Sequence, residues 1–377
     1  MKRILVFIVA FVFSTSLFSQ PCYPDGITFS TQTEIDDFHL LNPDCSEIEG
    51  DLTISGDDIT NVDSLLSVTS IGGDLSIRYN TDLSSLEGLS NLNQLGGNLI
   101  LRNNYSLTSF TGLEGINEVF GNCGVAYNTP FLTNLSGLDG IKIIHGNLRI
   151  NDNYYLINVS GLDSLTTIGG YLQFNLNDRL ESLNGLEALH SIGQNCIINE
   201  NNCLKNIDAL SSLTSIQGEL AIVENDSLLS ISGIENINAE SITDLYIYYN
   251  PQLPECDVQS ICDYLASPNG TTDIYSNASG CNSQEEVETA CLIINVPEVS
   301  SPGQLHLYPN PASDVVTIKS EMPIIQIAVY SFNGKLIQLE KPHTKSYSLV
   351  TSIMAPGTYQ LIITTDSGIL LERIIIR

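Results

Sequence analysis

Five histidines, three adjacent carboxylate pairs and nine cysteines are the residues of this 377-residue chain whose types could do chemistry. His39, His145, His190, His306 and His343 could serve as bases or metal ligands. None has a partner histidine at the spacing that brings two ligands to one ion. Asp36–Asp37, Asp57–Asp58 and Glu285–Glu286 could divide acid and base roles in sugar hydrolysis. Among 43 acidic residues such neighbours arise without function, and it is the environment of a carboxylate, not adjacency, that marks catalysis. No phosphate-binding glycine loop, G-x-S-x-G elbow or calcium-binding nonapeptide occurs. The expectation is a protein with no catalytic residues, no metal and no cofactor. An extracellular enzyme acting on polysaccharide is the alternative.

The cysteines speak through their placement. Met1-Lys2-Arg3 and the ten apolar residues Ile4 to Phe13 are too short to cross a bilayer as a helix and read as a secretory leader. Ser14, Ser16 and Ser19 offer small residues for cleavage, which makes residues 1–19 a signal peptide. Pro21 argues against a lipid anchor at Cys22. No later run reaches the length of a transmembrane helix, so the mature chain is expected to carry none. Export would let cysteines pair. Cys22 and Cys45 lie early, and Cys256, Cys262, Cys281 and Cys291 lie late; these six are the disulfide candidates.

Charge is segregated as well. Residues 21–300 hold 38 acidic and 6 basic side chains. Such a surface repels nucleic acid and anionic lipid, which excludes both as partners.

Positioning comes from a repeat. Gly73, Gly97, Gly121, Gly146, Gly170, Gln194 and Gly218 recur every 24 residues, once every 25, with an earlier copy at Gly50 and a later one near Thr243. This period means one supersecondary unit per copy, stacked as a solenoid. Leu75, Ile77 and then Asn80 read as a short strand with every second side chain on one face. Leu83, Leu86, Leu89, Leu92 and Leu95 follow at a period of three, which suits bent or 3₁₀-like chain better than a long helix. One coil buries too little to stand alone, so neighbours must cover its open faces. Asn80, Asn104, Asn128, Asn153, Asn177, Asn201, Asn225 and Asn250 form a structural asparagine ladder whose amides satisfy main chain where the strand ends. Gly88, Gly112, Gly137, Gly161, Gly185 and Gly233 permit the bend; Ala209 breaks the series and reads as a weak spot.

The outward residues of each strand should make a flat face, with Ser76, Arg78, Tyr79, Ile100, Arg102, Arg149, Asn151, Gln173, Asn175, Tyr246, Tyr248 and Tyr249 on it. Arg and Tyr anchor interfaces. Arg78, Tyr79, Arg102, Arg149, Tyr246 and Tyr248 are therefore the candidate binding residues, and the partner class is an extracellular protein or glycan.

Caps are needed at both solenoid ends. In residues 20–47, Thr31 and Glu34 make a capping box for a lid helix that places Ile35, Phe38 and Leu41 on one face, clipped by Cys22 and Cys45. Residues 254–291 read as two helices carrying four cysteines, with three pairings open. Cys123 and Cys196 take the Leu75 position three coils apart, about 14 Å at strand spacing, beyond disulfide reach. Residues 292–303 read as a linker and residues 304–377 as a small β-sandwich of about seven strands.

The G-(D/N)-L-x-I phrase and the L-x-I-x-x-N strand resemble a leucine-rich repeat and, more closely, the receptor L-domain, over residues 48–253. That resemblance implies a mainly β fold, a right-handed parallel β-solenoid. The last segment resembles the type IX secretion sorting domain of Bacteroidetes through Tyr308-Pro309-Asn310-Pro311, Asn333-Gly334-Lys335, Gly357-Thr358-Tyr359 and the basic residue Arg377. It implies an Ig-like β-sandwich, the type IX machinery as a partner, and display on or release from the surface of a Gram-negative cell, often with the tail removed.

Overall fold

Alternating aliphatic residues such as Leu75 and Ile77 can bury one side of an extended segment, and each coil contributes one such strand. The structure, a computed structural model, describes residues 20–128, 131–294, 305–331, 335–365 and 368–377. Eleven strands form one parallel sheet in chain order: β1 (Ile27–Phe29), β2 (Leu52–Ile54), β3 (Leu75–Asn80), β4 (Leu99–Asn104), β5 (Cys123–Ala126), β6 (Leu148–Asn151), β7 (Leu172–Asn175), β8 (Cys196–Asn199), β9 (Gly218–Val223), β10 (Ile242–Tyr248) and β11 (Thr272–Tyr275). The register sets Leu75 beside Leu52 and Leu99, so inward side chains run as continuous columns. Short strands such as Ser70–Ile71 and Ile143–Ile144 build two further parallel sheets of four and five strands. The residues spaced by three, Leu83 through Leu95, are all buried in the core.

The alternation breaks at one place per coil. With Leu75 and Ile77 inward, Asn80 would point outward, yet it is buried. The residue before it corrects the phase. Tyr79, Asn103, Tyr127, Asp152, Leu176, Glu200, Glu224, Tyr249 and Ser276 all hold φ between 54° and 56°. That left-handed step turns the following asparagine inward. None of the nine is β-branched, as the sterics of that region demand.

Each turned-in asparagine serves the coil before it. Asn104 donates through Nδ2 to the carbonyl of Ile77 at 2.9 Å, and its equivalent Asn177 to that of Ile150 at 2.7 Å. From Asn128 onward the Oδ1 accepts the backbone N–H of the preceding asparagine, as Asn177 does from Asn153 at 3.1 Å, whereas that of Asn104 accepts from Asn80 Nδ2 at 2.8 Å. Asn277 adds one more rung, accepting from the N–H of Asn250 at 3.0 Å. A second ladder runs the other way. Asp51, Asp74, Asn98 and Asn122 accept through Oδ1 from the backbone N–H of Asp74, Asn98, Asn122 and Asn147 at 2.6 to 2.9 Å. Neighbouring coils are thus tied through side chains reaching both back and forward.

The bend takes two forms. At Gly112, Gly137, Gly161 and Gly185 the glycine has φ between 102° and 113°. Where a 3₁₀ turn stacks on another, as Glu87–Leu89 does on Asp63–Leu65, a Cβ on Gly88 would lie 1.8 Å from the carbonyl oxygen of Val62. Ala209 lies in the 3₁₀ turn Asp208–Leu210, buried, at negative φ, and the coil before it has the Gly185 form. The alanine is accommodated in that turn.

Helix α1 (Gln32–Leu41) closes the N-terminal end, with Thr31 and Glu34 forming the capping box and Ile35 and Phe38 buried. Leu41, expected on that face, is 75% exposed, because it is the last residue before the chain leaves the helix at Asn42. Cys22–Cys45 joins the flanks of the lid at a Cα separation of 5.8 Å. At the other end α2 (Gln259–Ala266) and α3 (Gln284–Ile294) are joined by Cys262–Cys291, and Cys256–Cys281 ties the segments ahead of them. Between these helices β11 extends the sheet, so the parallel stack runs beyond residue 253. Helix α3 also continues through residues 292–294, where the sequence suggested linker. Cys123 and Cys196 are buried free thiols and Cys203 is exposed.

The C-terminal segment holds six antiparallel strands: β12 (Leu305–Tyr308), β13 (Val315–Ser331), β14 (Leu336–Glu340), β15 (Thr344–Val350), β16 (Gly357–Thr365) and β17 (Gly368–Ile376). Among the described residues there are six where about seven were anticipated, and one 17-residue strand serves twice. Its first half pairs β12 and β15, its second half β14 and β16, with a register shift between Lys319 and Ile324. The result is sandwich-like around Val316, Ile318, Ile327, Leu361 and Ile374. The signal peptide 1–19 and residues 295–303 of the predicted linker fall outside the described residues.

Candidate functional site

The register that aligns the core also aligns the outward side chains. One row passes through Ser76, Ile100, Gly124, Arg149, Gln173, Ile197, Ala221, Tyr246 and Asp273. A second passes through Arg78, Arg102, Ala126, Asn151, Asn175, Asn199, Val223, Tyr248 and Tyr275. The residues with positive φ flank the second row. Ser76, expected to be open to solvent, is only 6% exposed and its hydroxyl has no partner; its row neighbours Thr53 and Ile100 close over so small a side chain.

The face falls into three stretches. Towards the N-terminal end arginines lie on tyrosines: the Arg102 guanidinium is 5.1 Å from the Tyr79 ring centroid and hydrogen-bonded to its hydroxyl, and that of Arg149 is 4.8 Å from the Tyr171 ring. Off the face, in the turns that follow the strands, Arg179 lies 5.2 Å over Tyr155. Tyr127 hydrogen-bonds Asp152, and that bond, then the carboxylate's charge, pushes its phenol above the ordinary value. Amides fill the middle. Asn199 donates to Asn175 Oδ1 at 2.6 Å, while among the described residues the buried Oδ1 atoms of Asn151 and Asn199 accept nothing. The C-terminal stretch is aromatic: Tyr248 and Tyr275 stack with centroids 4.7 Å apart and planes 4° from parallel, and Tyr249 stands at 5.5 Å edge-on to each. Burial, then Asp273 and Glu224, raises the Tyr248 phenol.

Between Arg102 and Arg149 the face dips at Gly124 and Ala126. A Cβ added at Gly124 would meet no atom within 4 Å, and the residue has no positive φ. The backbone therefore does not call for glycine here. A strand-interior glycine without a backbone reason marks close approach by something else.

Six predicted residues, Arg78, Tyr79, Arg102, Arg149, Tyr246 and Tyr248, share this face. Tyr127, Tyr171, Gly124 and Tyr275 were not anticipated. Tyr275 belongs to a coil whose asparagine comes 27 residues after Asn250 rather than 24 or 25, because α2 replaces the bend.

Four members of the carboxylate pairs accept local hydrogen bonds. Asp36 accepts from Gln32 Nε2 at 2.8 Å, Asp58 from the Gln32 N–H at 3.2 Å and Asp57 from Thr81 at 3.0 Å, while Glu286 accepts the N–H groups of Gly280 and Asn282. His145 stacks on Phe120 at 4.9 Å and pairs with Glu118 at 3.1 Å.

The sorting residues fasten the sandwich. Asn310 donates to the Arg373 carbonyl at 2.7 Å and accepts from the Ile375 N–H at 2.9 Å, which holds the Tyr308-Pro309-Asn310-Pro311 segment against β17. The Tyr359 hydroxyl donates to the Ala355 carbonyl at 2.8 Å, Gly357 opens β16 opposite Ile376, and the Lys335 carbonyl accepts from the Ser331 N–H. Gly334 lies outside the described residues.

Among the described residues no helix is long and apolar enough to cross a membrane. No curated protein matches the chain. Residues 44–111 match the family model of the Receptor L domain, and residues 306–377 that of the Secretion system C-terminal sorting domain. The chain is thus similar to a receptor L domain over the first part of its solenoid, which suggests ligand binding, and to type IX sorting domains at its C-terminal end, which implies secretion to the cell surface or beyond.

Proposed function

We propose that this is a non-catalytic extracellular binding or adhesion protein of a Bacteroidetes cell, in which the sorting domain is the address and the outer sheet face receives a protein or glycan. The observation that carries this reading is Gly124. Glycine in a strand costs about 0.5–1 kcal/mol relative to alanine, nothing in the fold asks for it, and it lies between two arginine-bearing strands.

Glycan and protein arrays probed with the secreted chain, Gly124→Tyr and an Arg78/Arg102/Tyr248 triple alanine variant test it. A ligand captured by the parent and lost by Gly124→Tyr supports the face. Equal capture by all three discards it. Depolymerisation of a glycan that disappears in Asp57→Ala would instead establish the enzyme reading.

A further inference from the structure

The solenoid is electrically divided along its length, and the surroundings of its tyrosines divide with it. All six basic residues of residues 21–300 lie between Arg78 and Lys205; residues 206–300 contain 15 Asp and Glu and no Lys, Arg or His. Every tyrosine ring of the solenoid covered by a cation, namely Tyr79, Tyr155 and Tyr171, lies in the first region. The stacked trio of Tyr248, Tyr249 and Tyr275 lies in the second. The phenols of Tyr248 and Tyr275 feel Asp273 and Glu224, and among the described residues no cation lies on any of the three rings. Tyr249 is 48% exposed and walls an acidic recess of about 460 Å³ shared with Glu200, Glu224 and Asp226.

Resting on the sheet-face reading, we propose that this C-terminal stretch docks a basic segment of a partner protein, with Lys or Arg side chains over the tyrosine faces and between the carboxylates. The chain supplies its own precedent. At Tyr79, Tyr155 and Tyr171 a neighbouring arginine lays its guanidinium on the ring; at Tyr248, Tyr249 and Tyr275 the rings and the negative field are present and the cation must come from outside. The trio is held in place by its own stacking, so little side-chain freedom is lost on binding.

The test uses the full chain and a fluorescent peptide rich in Lys and Arg, with a glutamine-substituted counterpart of equal length, followed by anisotropy at several salt concentrations. The basic peptide should bind, more weakly as salt rises, and the counterpart should not. Glu224→Gln with Asp273→Asn, and separately Tyr249→Leu with Tyr275→Leu, should each weaken binding about tenfold. Glu49→Gln with Asp82→Asn removes two charges elsewhere and should change little. Equal losses in that control, undiminished binding by the tyrosine variant, or no binding of the basic peptide would each overturn the proposal. Gly124→Tyr on the arrays judges the sheet-face reading separately, since none of these variants alters the dip.

Discussion

The side chain of Asn128 donates to the carbonyl of Leu101 at 2.8 Å, one coil back, and so completes the main-chain hydrogen bonding of a residue it does not neighbour in sequence. Its Oδ1 also accepts the Asn104 N–H at 3.1 Å. Both main-chain groups are sealed in the core. Replacing Asn128 by Leu keeps the branched outline and strands one donor and one acceptor, at a cost of about 3 kcal/mol in urea unfolding. Asp should fail similarly, because a buried carboxylate accepts but cannot donate. A loss under 1 kcal/mol would show that the ladder is ornamental.

The left-handed step before each asparagine makes a second prediction. Leu176 has φ 56° and is 38% exposed, so its side chain contributes little to packing. Leu176→Asn should stabilise by about 0.5–1 kcal/mol and Leu176→Val should destabilise by 1 or more, on the order of the left-handed penalty. Thermal melts of the pair against the parent read the sign directly.

Two glycines separate backbone need from ligand access. A Cβ at Gly137, where φ is 102°, would lie 2.1 Å from the carbonyl carbon of Phe110; one at Gly124 meets nothing. Gly137→Ala should therefore lower the melting point by several degrees, whereas Gly124→Ala should raise stability by about 0.5–1 kcal/mol. The dip is structurally optional only if both signs appear.

What the sequence disclosed follows from which physical demands repeat in residue type. Asn80 and its successors recur as asparagine because an amide both donates and accepts, so the ladder was legible. The step before them demands only a backbone angle, met by Tyr, Leu, Glu and Asp alike, and shows itself in sequence merely as a missing β-branched residue. The face was legible in its arginines through strand alternation. Its aromatic end was not, since Tyr275 follows a coil lengthened by α2, and a residue hidden by its neighbours, such as Ser76, cannot be told from an exposed one by alternation alone.

The buried thiols give a prediction in pH. Cys123 and Cys196 replace core leucines on β5 and β8, and burial pushes both thiols up to about 12 from an ordinary 9.0. A thiol whose folded value is raised binds its proton more tightly in the native chain, so its contribution to stability is whole below pH 9 and is lost as pH rises towards 12. Unfolding free energy should fall steeply over that window. Cys123→Leu with Cys196→Leu restores the residue found at this place in neighbouring coils, such as Leu99 and Leu172, and should flatten the fall while costing less than about 1.5 kcal/mol at neutral pH. Because the thiolate is the reactive form and both sulfurs are enclosed, a thiol reagent at pH 8 should label only Cys203 in the native chain and all three after unfolding. Native labelling of Cys123 or Cys196 at the rate of Cys203 would mean that the coils part far more readily than two opposed ladders should allow.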